Sequence, residues 1–388
     1  MWNKTILIMT FVLIAHLSSA QGNIKTTEVL FRKGDSGVDT YRIPALVQTK
    51  EGTIIAFAEA RKNSRSDTGD IDLVARRSED GGKTWSEIIT VWDDGSNVCG
   101  NPCPVVDRKT GRIILLSTWN DGRDHEKDIH ARKSIDTRRV FVIYSDDDGK
   151  TWSEPKEITS SVKLPEWTWY ATGPCHAVQL RKGRDKGRIV VPCNHGVYPE
   201  GDRAGGHEGP GGTESHVIIS DDGGNTWKIG GSPCVGNEST LVETKDGTII
   251  LNMRGPRSED RIQKGAARLV ALSSDGGESF GEPYYEKALI EPVCNASIIN
   301  YSPEGRLTET LLFSNPDHVS KRKNMTIKQS DDSGRTWRTV LRLSESPAAY
   351  SDLLVMDNGD VAILYETGLN NCYETITFSV ISSEMFNE

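Results

Sequence analysis

The octapeptide SEDGGKTW at residues 78–85 recurs as SDDDGKTW at 145–152, SDDGGNTW at 220–227, SSDGGESF at 273–280 and SDDSGRTW at 330–337. The shared form, Ser-x-Asp-x-Gly-x-Thr/Ser-Trp/Phe, is turn chemistry. The aspartate accepts backbone N–H bonds, and the glycine takes the positive φ that residues with a Cβ resist. The closing aromatic gives each copy an apolar anchor. Between the copies runs a looser pattern, a glycine followed by a β-rich run: EGTIIAFAEA from Glu51, TGRIILLS from Thr110, KGRIVVP from Lys186, DGTIILNM from Asp246, EGRLTETLLFS from Glu304 and NGDVAILYE from Asn358. Each reads as a hairpin turn opening a strand. The glycines Gly52, Gly111, Gly187, Gly247, Gly305 and Gly359 alternate with the octapeptides without exception.

Six such units, roughly 60 residues apart and free of any convincing amphipathic helix, predict an all-β chain. The architecture expected is a six-bladed β-propeller whose four-stranded blades bury their faces against one another. The sixth unit has no octapeptide, and little chain remains after Glu366. The segment TTEVLF at 26–31 is therefore expected to complete the last blade. No linker or low-complexity stretch marks a second domain.

The chain opens MWNKTILIMTFVLIAHLSSAQG, one lysine, an apolar run and small residues, which reads as a secretory signal cleaved after Ala20. The expected organisation is a signal peptide over 1–20 and one propeller over 21–388, secreted or periplasmic. No later segment approaches the ~20 apolar residues of a membrane helix, so no membrane insertion is expected. The formal charge of −9, or −10 without Lys4, argues against a nucleic-acid partner, so an anionic ligand would need local arginines. Seven cysteines cannot all pair within one chain and are too sparse for a disulfide scaffold, although Cys99 and Cys103 are near enough in sequence to bridge. Cys175-His176, Cys193-Asn194-His195, His207 and His216 lack the tight spacing of a zinc knuckle. No metal or other cofactor is expected, and the protein is expected to be a monomer.

The octapeptide resembles the Asp-box of sialidases, which other secreted propellers also carry. In DTYRIPALV (39–47), Arg42 enters an apolar strand, costly unless it is paired or faces a water-filled channel. The segment resembles the sialidase Arg-Ile-Pro motif, whose arginine is the first of three that grip the substrate carboxylate. Further resemblances follow in family order. EARKNSRSDTGDIDLVARRS (59–78) carries Arg61, implied to support or face the substrate, and the acid/base Asp67. VGNESTLVETKDGTIILNMR (235–254) carries Glu238 and the second arginine, Arg254. FSNPDHVSKRKNMTIKQSDDSGRTW (313–337) carries the third, Arg322, preferred over Lys321 and Lys323 because lysine is a poorer bidentate partner. In SESPAAYSDLL (344–354), Tyr350 reads locally as a half-buried packing aromatic, but it stands where the family has its nucleophile. Glu366 of LYE (364–366) stands where the family props the first arginine.

The resemblance implies an exo-α-sialidase acting on sialylated glycoconjugates with retention, through a covalent tyrosyl intermediate. A non-catalytic propeller that binds sialylated glycans would need the arginines but not the Glu238–Tyr350 pair. A trans-sialidase would need an acceptor platform, for which Trp119, Trp167 and Trp169 are candidates. Two features depart from the pattern. WTWYATGPCHAVQL (167–180) has Cys175-His176 where small residues are expected. His195 and the loop GDRAGGHEGPGGTESH (201–216) have no counterpart in the motif set and are expected near the leaving sugar.

Overall fold

Every hairpin glycine lies between the first and second strands of an antiparallel unit, and every octapeptide lies between the third and fourth. The computed structural model describes residues 22–197, 212–255, 262–263 and 265–386, and the leader at 1–20 lies outside the described residues. After β1 (Ile24–Arg32), the strands β2 (Thr40–Gln48), β3 (Ile54–Arg61), β4 (Ile71–Ser78) and β5 (Ile89–Trp92) pair in that order. β6 (Val98–Val106), β7 (Ile113–Asn120), β8 (Arg139–Ser145) and β9 (Lys156–Glu157) repeat the arrangement. A single parallel pair, Ile71 with Val98, joins these two fours into an eight-stranded sheet.

In the next sheet, β10 (Trp167–Thr172) and β11 (Val178–Gln179) both pair with β12 (Ile189–Val197), followed by β13 (Thr213–Ser220) and β14 (Lys228–Ile229). Two more follow: β15 (Ser239–Glu243), β16 (Ile249–Met253), β17 (Ala267–Ser273) and β18 (Tyr284–Ile290), then β19 (Ser297–Asn300), β20 (Leu311–Pro316), β21 (Met325–Ser330) and β22 (Arg338–Arg342). The last sheet, β23 (Ala348–Val355), β24 (Val361–Thr367) and β25 (Thr375–Ile381), takes β1 as its fourth strand, with Phe31 opposite Ile376. This is the closure expected of residues 26–31. Helices are short: α1 (Glu126–His130) and α2 (Thr159–Val162).

The first strands pack side by side around an axis: β2 touches β6 and β23, β6 touches β10 and β11, β15 touches β11 and β19, and β19 touches β23. The fold is thus all-β with a propeller-like arrangement of sheets. Apolar clusters fill the spaces between neighbouring sheets. One joins Leu46, Ile54 and Val74 of the first unit to Leu364, Phe378 and Val380 of the last.

In the octapeptide at 78–85, Ser78 Oγ donates to Asp80 and accepts the N–H of Gly82, both at 2.8 Å. Asp80 also accepts the N–H groups of Lys83 and Thr84 and the Thr84 hydroxyl. These bonds, that of the Thr84 hydroxyl foremost, hold the Asp80 carboxyl well below the usual carboxylate range. The same bonding recurs about Asp147, Asp222, Asp275 and Asp332. The closing aromatics dock on the preceding unit: Trp85 meets Phe378 edge-on at 5.0 Å, and Trp152 meets Phe57 at 5.6 Å.

Glycine is required at the tip of the first turn. Gly82 has φ 88, and a Cβ there would lie 2.3 Å from the Phe378 ring, whereas Gly34, also at φ 88, has nothing within 4 Å. Gly34→Ala meets only the backbone term of about 1–2 kcal/mol. Gly82→Ala adds overpacking of about 1–3 kcal/mol. Urea denaturation is expected to show the larger loss for Gly82→Ala, and equal losses would mean that the turn does not dock on the last sheet.

Candidate active site

At the end of the axis where β2, β6 and β23 begin, the sheets leave a cavity of about 660 Å³, and Arg42, Arg61, Asp67, Glu238, Arg254, Arg322 and Tyr350 all line it. A bulge between Arg42 and Ala45 sets Ile43 at φ 59, a region that β-branched residues resist. Glu366, fully buried on β24, holds this bulge. Its Oε1 accepts Arg42 Nε at 2.7 Å and the Ile43 N–H at 2.9 Å, and its Oε2 accepts the Tyr350 N–H at 3.1 Å. Glu59 on β3 repeats the device one unit on. It accepts the N–H of Asn101, at φ 54, at 2.8 Å, and its other oxygen takes Arg61 Nε and Nη2 at 2.9 and 2.6 Å.

Arg61 Nη1 reaches Asp67 Oδ1 at 2.7 Å. Asp67 stands at the rim with its side chain 63% exposed. Desolvation beside the wall works to raise its pKa, but the charges of Arg61 and Arg42 and the Arg61 bond prevail and hold the carboxyl below its usual range. On the other wall, Glu238 Oε2 accepts both Arg254 Nη1 at 2.7 Å and the Tyr350 hydroxyl at 2.5 Å. Arg322 donates to the Tyr373 hydroxyl at 2.7 Å and to the Val293 carbonyl at 2.8 Å. The Arg42 guanidinium lies 4.1 Å over the Tyr373 ring, and Arg42 and Arg322 lie 5.2 and 5.4 Å from the Tyr350 ring centre. Burial first, and the Glu238 charge second, push the Tyr350 phenol well above its ordinary value, so it is neutral near pH 7.

Sequence reasoning did not select Tyr373, Arg138 or Glu59. Arg138 lines the same cavity, 4.0 Å from the Trp169 ring centre, and donates to Asn120 at 2.6 Å and to Asn101 at 2.5 Å. Burial pulls its pKa down to about 10. The signal that marks Arg42, an arginine entering an apolar strand, is also present before β8.

The departures from the family pattern lie elsewhere than expected. His195, expected near the leaving sugar, is buried in the core: its Nδ1 is 3.0 Å from His216 Nδ1, and Trp167 stacks on it at 3.6 Å. His216 Nε2 meets the Tyr170 hydroxyl at 3.0 Å. Asn194, between the strand neighbours Cys193 and His195, lines the cavity instead. Residues 201–211, including His207, lie outside the described residues. Cys175-His176 sits behind the cavity on the axis. Of the three tryptophans, Trp169 lines the cavity, Trp167 is taken up by the histidine stack, and Trp119 donates to Asp94 at 2.6 Å. All seven cysteines are free, Cys99 and Cys103 included.

The BNR repeat-like domain family matches residues 52–363. The chain is 32% identical to a sialidase of Bacteroides fragilis over 87% of its own length and 61% of that protein. It is 31% identical to a sialidase of Micromonospora viridifaciens over 88% of its own length and 52% of that one. A solved structure, the Hadza microbial sialidase Hz136, matches with a TM-score of 0.79 and 31% identity, covering 93% of this chain and 69% of the other. The chain belongs to the sialidase family. It spans 61% and 52% of the length of the two curated relatives. In this family member, arginines from the first, fourth and fifth units and a tyrosine from the last meet in one cavity.

Two expectations follow. Glu366→Gln puts an amide among N–H donors that both oxygens accept, and breaking a buried pair costs about 3–5 kcal/mol. A urea midpoint within error of wild type would show that Glu366 does not hold the seam. The second concerns acid. Burial, with Lys163 second, lowers His195 to about 3, and burial, with His195 second, holds His216 well below 6.5. Both are neutral in the fold, whereas the unfolded chain takes their protons near pH 6.5. Their stabilisation is complete above about pH 6.5 and is lost as pH falls toward about 3. The urea midpoint is expected to drop from pH 7 to 5, and to drop less in His216→Gln, which has no such proton to bind.

Proposed function

We propose that the protein is an exo-α-sialidase that releases terminal sialic acids from glycoconjugates with retention, through a covalent intermediate on Tyr350. The observation that carries this reading is the Tyr350 hydroxyl on the Glu238 carboxylate at 2.5 Å, inside a cavity lined by Arg42, Arg254 and Arg322. A sialic acid bears its carboxylate on the anomeric carbon. Converging guanidinium groups suit that carboxylate, since each offers fork-shaped donors and a charge that offsets desolvation. A carboxylate nucleophile would be repelled by the substrate's own carboxylate, whereas a neutral phenol would not.

A buried phenol is a weak nucleophile until a base takes its proton, and Glu238 is in place to accept it as the oxygen attacks. Asp67, across the cavity, protonates the leaving glycosidic oxygen and then activates water. Its carboxyl is held low by Arg61 and Arg42 while the cavity is empty. An anionic substrate cancels part of that cationic field and raises the Asp67 pKa, so binding favours the protonated acid. These steps draw on the named side chains alone.

On the same reading, the two halves of the eight-stranded sheet count separately, which makes six blades, and the octapeptides are Asp-boxes serving stability. Residues 1–20 are proposed to direct export.

With a fluorogenic sialoside, Tyr350→Phe is expected to lose several orders of magnitude in kcat while carboxylate binding persists, Glu238→Gln to lose similarly, and the double variant to lose little more. Near-normal turnover in Tyr350→Phe would remove the tyrosine from the mechanism. Measurable glycan binding without wild-type turnover would favour a lectin, and transfer products outweighing free sialic acid with excess galactoside would make the enzyme a transferase. Asp67→Asn is expected to lose more than about 100-fold on sialyl-lactose but far less on an activated aryl sialoside, whose leaving group needs no proton. Equal losses on both would deny Asp67 the acid role.

A further inference from the structure

The pair Cys175-His176 stands where β10 gives way to β11, and it reaches across the axis to β23. Cys175 Sγ lies 3.3 Å from the Ser351 carbonyl oxygen and 3.4 Å from that of Ala296. His176 Nδ1 lies 2.7 Å from Asp352 Oδ1. Asp352 is fully buried and also accepts the Leu46 N–H at 2.8 Å and the Ser297 hydroxyl at 2.8 Å, so this one carboxylate ties together four of the antiparallel units. Ser351 and Asp352 directly follow Tyr350. Alternate residues of a strand share a face, which puts Asp352 behind the phenol along the axis.

The strand needs such a hold. The register of β23 against β24 shifts between Ala348 and Ser351, so Ala349 and Tyr350 have no regular ladder partners. Glu366 secures the Tyr350 N–H on one side of the gap. On the other side the ladder resumes at Ser351, Ser314 and Ser297 bond Ser351 and Leu353, and the contacts of Cys175 and His176 add a hold from the third unit. They come at a cost. Cys175 adopts φ 101, strained for a residue with a Cβ, and a buried ion pair stabilises no better than a well-packed apolar pair. Burial works to lower the His176 pKa, but the attraction and bond of Asp352 outweigh it and raise it, which keeps the ring a donor to the carboxylate.

We propose that His176, with Cys175 beside it, is a positioning residue for the Tyr350 nucleophile: a clamp from the third unit that sets β23 so that the phenol meets Glu238. This rests on the sialidase reading above. His176 is not among the residues that line the arginine cavity, so its effect falls on attack and not on carboxylate binding.

The far side of the clamp gives a direct test. His176 borders a second cavity of about 370 Å³, at the opposite end of the axis, to which every unit contributes. Its side chain is 14% exposed there, a route by which free imidazole can reach the space left in His176→Ala. With a fluorogenic sialoside, His176→Ala is expected to lose about tenfold to a hundredfold in kcat with KM within about twofold, the scale of a misplaced reacting group. Millimolar imidazole is expected to restore part of that kcat, and His176→Asn, which keeps an N–H near the Nδ1 position, to retain most of it. If the alanine variant does not fold, His176→Leu, which fills the space without a donor, replaces it and is read by its kcat and KM against His176→Asn. Wild-type kcat in the folded Ala or Leu variant overturns the clamp. So does a loss that His176→Asn shares in full or that raises KM in proportion. Absence of wild-type turnover overturns the sialidase reading and the clamp together, whereas normal wild-type turnover with an unaffected variant overturns the clamp alone.

Discussion

The Glu366 carboxylate is the contact on which the rest of the site depends. Its oxygens accept from Arg42, from the Ile43 N–H and from the Tyr350 N–H, joining the first and last units at the seam where the ring closes. A buried pair of this kind adds little net stability over an apolar substitute. What it adds is position. It holds a β-branched residue at positive φ, turns Arg42 into the cavity and sets the backbone under Tyr350, all through one fully buried group.

The same construction appears around the axis, in each case spending backbone regularity to aim a side chain. Glu59 carries the bulge at Asn101 and orients Arg61, as Glu366 carries Ile43 and orients Arg42. First strands that ran as unbroken ladders would bury their side chains in the interfaces between sheets. The bulges bend them and turn polar residues toward the axis. The octapeptide turns sit at the outer connections, where aspartate and glycine geometry joins neighbouring sheets. No octapeptide residue lines the arginine cavity.

Electrostatics divides the molecule in a similar way. The chain is acidic, with a formal charge of −9. Arg42, Arg61, Arg138, Arg254 and Arg322 nevertheless line one cavity, where carboxylates, amides, a carbonyl and aromatic rings hold them. Such a site attracts a small anion by local field and donor geometry while the surface as a whole repels polyanions. Arg61 and Arg42 depress Asp67, and Arg42 is also one of the cations that bind the substrate carboxylate in the proposed reaction, which ties protonation of the acid to occupancy of the cavity.

Much of this was legible in the sequence because it is local. Asp and Gly in SEDGGKTW fix a turn whatever surrounds it, and glycine followed by a β-rich run opens a strand, so the order of turns and strands and the closing role of residues 26–31 could be read directly. The resemblance of short motifs to a known family named Arg42, Asp67, Glu238, Arg254, Arg322, Tyr350 and Glu366, and all but the buried Glu366 line the cavity. The partnerships were not legible. Arg42 and Glu366 are 324 residues apart, and no periodicity links them. His195 and Asn194 are neighbours, yet one is core and the other faces the cavity, because successive strand residues point to opposite faces and only the packed sheets decide which face is buried. Tyr373, Arg138 and the Cys175-His176 pair lie between strands, where no periodicity marks a face and their partners come from distant parts of the chain, so they were passed over or misplaced. A turn is set by the conformational limits of a few adjacent residues, so the sequence alone determined where the chain folds back. The closure of the ring brings residues from opposite ends of the chain within bonding distance, so only the tertiary structure decided which charge faces which, and what stands behind the tyrosine.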